Sequence, residues 1–384
     1  MATMVLFVLI GASAYFGQVT DGLIRTGMRD QVSWGFYIGN FTFLVGVAAA
    51  AVVLVIPAYI YDWKPIKEIV LIGELLAISA IIMCIAFVMV DVGRPERTWH
   101  FLLPNFPRSL LAWDVLVLNG YLAINALVAF HIMYRGYFGK PYNKKWVLPL
   151  VLLSVPAAVS IHTVTAFLYS GLAARSYWNT AILAPRFLTS AFCSGPAIIL
   201  ILLQILRRYW KFDIKDEALH KIAELMAYAM FINLFLLGAE IYREYYSDTH
   251  HLIHHEYLFS GLHGHMSPVA PYAWASVIAS TVAFLLFLIP KTRKNFLTLN
   301  IGAVLIYFGV YVEKGIALVI PGFTPSMLGE VYEYAPSFTE LQVAMGVFGV
   351  GAIVFTALLK TALPVLRPED AVGPAAEAAA EASA

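Results

Sequence analysis

The chain has 384 residues, of which 60% are hydrophobic and only 13% charged, with a mean hydropathy of +0.76. So much apolar surface exceeds what a soluble core buries; lipid must be the main solvent, and because hydrocarbon does not tolerate unpaired backbone groups, the long apolar runs must be helices. A formal net charge of +1 excludes a broad surface for nucleic acid, and Cys84 and Cys193, isolated in apolar runs, exclude a cysteine-held iron–sulfur cluster and offer no metal site.

In chain order, apolar stretches predict membrane spans near residues 3–20, 36–60, 67–90, 110–134, 146–172, 186–208, 219–242, 271–290, 296–320 and 338–363. The expected fold is an all-α polytopic membrane protein with about ten transmembrane helices. A single integral membrane domain over residues 1–366 is expected, as two four-helix bundles, 32–172 and 186–320, between the flanking first and last helices. Ala12-Ser13-Ala14 resembles a signal-peptidase site, but no basic segment precedes it, so the first span is expected to be retained. Lys and Arg concentrate at connections on the side of the termini (Lys64 and Lys67, Arg135 to Lys145, Arg207 to Lys215, Lys291 to Lys294), which predicts both termini on the cytoplasmic side of the inner membrane. Residues 367–384 lack an apolar face and are expected to form a disordered cytoplasmic tail.

Ionisable groups inside spans cost a few kcal/mol each, so they tend to face cavities or pathways. Toward the ends remote from the termini stand Asn40, Asp91, Asp114, His162, Glu240, Glu313 and Lys314; Glu74, Asn125, Glu224 and Asn233 lie deeper or nearer the cytoplasm. The first set suits a site. The second, with Glu240, suits a proton path, although isolated carboxylates at helix crossings are the simpler account.

His162, in SIHTVTAFLYSGLAAR, can hydrogen-bond a quinone carbonyl and pass a proton near neutral pH, or can simply join two helices. His131 and His162 are read as the histidines within spans, toward opposite ends, so no haem is expected. After the third span, DVGRPERTWHFLLPNFPR places Asp91 and Arg94 where they can pair through the turn at Gly93 and Pro95, beside an interfacial Trp99. Between His250 and His265 the histidine spacing offers pairs on one helical face, but matches no zinc motif, and a docking or interfacial loop is preferred. Ten spans with midplane polar groups also suit a secondary transporter, or an inert membrane anchor.

The segments SWGFYIGNFTFLVGVAAA, DVGRPER, SIHTVTAFLYSGL, ILAPRFLTSAFCSGP and ALVIPGFTPSMLGEVYEYAPSFTE, in that order over residues 32–364, resemble the NrfD/polysulfide-reductase family of membrane subunits, above all its DsrP-like and ten-helix HybB-like branches. The resemblance implies a haem-free, quinone-binding subunit that holds no iron–sulfur cluster itself. It would exchange electrons between menaquinol or menaquinone and an extracytoplasmic ferredoxin-like iron–sulfur subunit, among the cytochrome and iron–sulfur proteins of a Dsr-type complex. It further implies a quinone pocket near the outer face of the first bundle, bound by Tyr37, Asn40, Arg94 and His162, with His162, Asp91 and Asp114 as the proton-handling groups.

Overall fold

The structure, a computed structural model, describes residues 1–67, 69–101, 106–249 and 251–366. The tail at 367–384 and His250 of the histidine-rich segment lie outside the described residues. Among the described residues, ten helices are long and apolar enough to cross a membrane, matching the expected spans. They are α1 (Ala2–Asp21), α2 (Phe36–Ile60), α3 (Val70–Asp91), α4 (Leu110–Tyr137), α5 (Lys144–Ser170), α6 (Leu183–Trp210) and α7 (Asp216–Ser247); then, after a short α8 (Leu252–Phe259), α9 (Ala270–Leu288), α10 (Phe296–Val319) and α11 (Phe338–Leu366). Polar side chains start several of them. Ser109 accepts from the Ala112 N–H at 3.3 Å, Asn143 from Lys145 at 3.0 Å and Asn295 from Leu297 at 2.9 Å, satisfying donors that a helix start leaves open.

Alternating helix directions gather Met1, Leu366 and the basic loops at one end, the basic end; the opposite end is called distal. Helices α2 to α5 pack as one ring of four, and α6, α7, α9 and α10 as a second, joined where α2 and α5 meet α6. Outside the rings α1 packs along α11. A Cβ on Gly11 would stand 2.5 Å from the Gly346 Cα, so glycine at this crossing is what lets the backbones touch. The α1 end is tied to α3 by Gln18, whose amide donates to the Val90 carbonyl at 2.7 Å.

Two of the spans change winding. The last turn of α2, Ile56–Ile60, and a turn near the end of α10, Val312–Ile316, are π-helical. A π turn inserts one residue and re-aims the side chains it carries, and in α10 those are Glu313 and Lys314. Just beyond, Tyr177 donates to the Ala317 carbonyl and the Trp178 indole to that of Leu318, each at 2.8 Å, so the end of α10 is held by the loop between α5 and α6.

Candidate functional site

Arg186 enters the membrane one turn into α6 and is buried. Its guanidinium bridges Glu240 of α7 and, at 2.8 Å, Glu313 of α10; Asn233 donates to the other Glu313 oxygen at 3.0 Å. Lys314, also buried, places its ammonium 3.5 Å from the centre of the Phe187 ring. Two cations and two carboxylates therefore share the interior of the second ring. Such groups persist in a low dielectric only when paired, and the planar guanidinium fork serves two carboxylates at once.

On another face of α10 lies a cavity of about 320 Å³ at the distal end, bounded by α2, the start of α9, α10 and the loop before α11. Its wall is largely apolar, with Val269 and Ile316 among the lining, and carries Asn40, Tyr272, Tyr311 and Tyr334 as polar groups. The helices touch at its floor, where a Cβ on Gly39 would stand 2.9 Å from the Gly315 carbonyl oxygen. Tyr311 donates to Asn40 Oδ1 at 3.1 Å, and the Asn40 amide donates to the Phe36 carbonyl at 2.7 Å. Tyr334 accepts from the Phe36 N–H at 2.7 Å and donates to Glu340 at 2.5 Å. Burial and then the Glu340 charge raise the Tyr334 phenol above its ordinary range, so it stays a protonated donor. The second Glu340 oxygen accepts the N–H groups of Gly27 and Ser337 at 2.7 and 2.8 Å.

His162 is not among the residues that line this cavity; it is buried on α5, in the first ring. Its Nδ1 lies 2.7 Å from the Ala158 carbonyl, the geometry of an Nδ1–H donor, which leaves Nε2 as the bare nitrogen. Nε2 is buried without a hydrogen-bond partner among the described residues, and the Lys314 charge lies within electrostatic reach of the ring. Beside it Thr165 donates to Asp114 at 2.6 Å, and Thr42 bonds Tyr169 across to α2.

The residues expected to surround one quinone pocket are thus distributed around α2. Asn40 faces the cavity, His162 and Asp114 lie in the first ring, and Tyr37 turns toward α1, donating to Gln18 at 2.7 Å. The expected Asp91–Arg94 pair is not formed among the described residues: Asp91 ends α3 with a buried, unpartnered Oδ1, whereas Val92 goes extended and carries Arg94 out, 77% exposed and 3.9 Å from Glu96. The supposed proton path also divides. Glu74 accepts from Tyr59 at 3.4 Å and Asn125 donates to the Tyr121 carbonyl at 2.8 Å, while Glu224 lies near the basic end with Lys221 and Tyr228 at 3.3 and 2.8 Å. Asn233 and Glu240, by contrast, belong to the Arg186 network, Asn233 through its bond to Glu313.

The reading of His131 and His162 as the span histidines is corrected too, since α7 carries His220. In α8, His254 lies 2.9 Å from the Ser176 hydroxyl and His255 packs 5.3 Å from the Tyr177 ring; burial pushes both imidazoles down to about 4. The sequence reading passed over Arg186, Tyr311, Tyr334 and Glu340. Arg186 had a signal, being an arginine inside the apolar run ILAPRFL; the tyrosines had none.

Compared with known families, residues 25–325 match the one described as Polysulphide reductase, NrfD. The chain belongs to the NrfD polysulphide reductase family. The NrfD match runs from before α2 to beyond α10, so it takes in both rings, the Arg186 network and the cavity wall apart from Tyr334, Ala335 and Pro336. The chain is similar to a putative membrane subunit of the dimethyl sulfoxide reductase of Halobacterium salinarum, 25% identical over 96% of this chain and 91% of the relative. A subunit of the selenate reductase of Mesobacillus selenatarsenatis is 23% identical over 91% of this chain and 90% of its own. An Hdr-like menaquinol oxidoreductase integral membrane subunit of Archaeoglobus fulgidus is 22% identical over 97% and 94%. These relatives are named as subunits of two reductases and of a menaquinol oxidoreductase.

Proposed function

We propose that this NrfD-family chain is the subunit through which a respiratory complex exchanges electrons with menaquinol or menaquinone, at the cavity of Asn40, Tyr311 and Tyr334. The cavity carries the reading. About 320 Å³ of largely apolar space with a few convergent polar groups is what a small-molecule pocket requires, at the small end of the usual range. The second N–H of the Asn40 amide and the phenol of Tyr272 supply donors for a quinone oxygen, and Val269 and Ile316 supply the wall for an isoprenoid tail. The name of the Archaeoglobus relative, a menaquinol oxidoreductase, supports menaquinone as the substrate.

Oxidation of a quinol to quinone releases two electrons and two protons. An iron–sulfur cluster held by an extracytoplasmic partner, in the Dsr-type reading a ferredoxin-like protein with cytochrome and iron–sulfur companions, would supply the acceptor for the electrons. One proton leaves through the Tyr334–Glu340 hydrogen bond, whose phenol is kept neutral and whose carboxylate lies beside Asp91. The other is taken inward by the bare Nε2 of His162, with Lys314 and Asp114 nearby. Reduction of quinone uses the same groups in reverse.

In membranes holding the assembled complex, Asn40→Leu should raise the KM for quinol about tenfold, the equivalent of ~1.4 kcal/mol. His162→Ala should abolish quinol-linked turnover while the subunits still co-purify. Unchanged kinetics in both variants would sink the reading. Charge movement by turning-over proteoliposomes would add proton translocation to it.

A further inference from the structure

At the basic end, between α6 and α10, a groove of about 600 Å³ faces lipid. Two helix stripes wall it: Ile201, Gln204 and Arg208 on α6, and Phe296, Asn300 and Val304 on α10. Ile201 and Val304 form its deep part. One turn nearer the membrane surface, Gln204 donates to Asn300 at 2.5 Å and so bridges the two helices. Arg207 and Arg208 stand at the mouth. Arg207 lies over the Phe296 ring, 5.5 Å from its centre, and is paired with Asp216. Arg208 and Asn300 are exposed; among the described residues Arg208 has no ion-pair partner and the Asn300 Nδ2 no acceptor. Donors facing lipid cost free energy unless something accepts from them, and no carboxylate lines the groove.

We propose that this groove holds an anionic phospholipid, its phosphate against Arg207 and Arg208, a glycerol-ester carbonyl on the Asn300 amide, and an acyl chain along Ile201 and Val304. Arg208 stands four residues, about 6 Å, above Gln204, which separates a charged layer from an amide layer as a phospholipid separates phosphate from ester. A choline ammonium finds no carboxylate in this lining, whereas the two guanidinium groups favour a headgroup of net negative charge. The site is at the opposite membrane face from the quinone cavity and stands without it.

The test uses the delipidated full-length protein in detergent, with thermal unfolding followed after adding phosphatidylglycerol, phosphatidylcholine or inorganic phosphate. Phosphatidylglycerol should raise Tm well beyond phosphatidylcholine, because a ligand bound to the folded state stabilises it by mass action. Arg208→Gln and Asn300→Leu, both exposed positions, should unfold at the wild-type temperature without lipid and respond to phosphatidylglycerol only as to phosphatidylcholine. Equal responses of the wild type to both lipids, or a selective response kept in both variants, overturn the proposal. So does a shift with inorganic phosphate alone. Should a variant be destabilised, native mass spectrometry of the wild type decides, phosphatidylglycerol retained over phosphatidylcholine supporting the site and equal retention refuting it.

Discussion

Arg186 serves two carboxylates on two other helices, and removing it strands both in the membrane interior. Arg186→Met should therefore cost about 3–5 kcal/mol, the penalty of an uncompensated buried charge, and thermal unfolding in detergent should show it as a large drop in Tm. Exchanging Arg186, Lys314, Glu240 and Glu313 together for apolar residues should recover much of that loss, since the pairing offsets desolvation rather than adding a surplus. The α8 histidines give a residue-scale pH dependence. Burial lowers their folded-state values from 6.5 to about 4, so the unfolded chain binds protons that the folded helix refuses. Their contribution is complete above pH 6.5 and is lost as pH falls toward 4. Unfolding temperatures compared between pH 7.5 and 5 should decline, and His255→Phe should flatten the decline. At this scale the sequence was only partly legible. It marked Glu240, Glu313 and His162 because a polar residue in an apolar run stands out by itself. It could not supply partners, since Arg186 and Glu313 are 127 positions apart, and it proposed Asp91–Arg94 because they are close in the chain.

Elements were more legible than contacts, for a physical reason: a span is a local property of some twenty consecutive residues, whereas its winding and its neighbours are not. All ten expected spans are present, yet neither π turn was foreseen, because a one-residue insertion leaves hydropathy unchanged. The α1–α11 pair shows what glycine contributes at a crossing. Gly346→Val would drive a side chain into the Gly11 backbone. It should release α1 from α11, read as protease or cysteine-reagent access to the N-terminal helix, while quinol turnover in the two rings persists. Loss of folding as a whole would show instead that α1 is integral to the first ring, to which Gln18 ties it.

For the whole molecule, ten crossings among the described residues would put Met1 and Leu366 on one side, and the distribution of Lys and Arg expects that side to be the cytoplasm. A green fluorescent protein fused after Leu366 should fluoresce, and alkaline phosphatase at the same point should be inactive; the converse pattern would invert the molecule and with it the side on which a redox partner docks. The Arg186 cluster carries a consequence that outlasts either orientation. Arg186, Lys314, Glu240 and Glu313 in their ordinary ionic forms sum to zero, in a medium that punishes any excess. A cluster so balanced makes a poor reservoir, because each proton added or withdrawn leaves a naked charge behind. Its four charges therefore act as one unit, and a change at any one of them is felt by the other three.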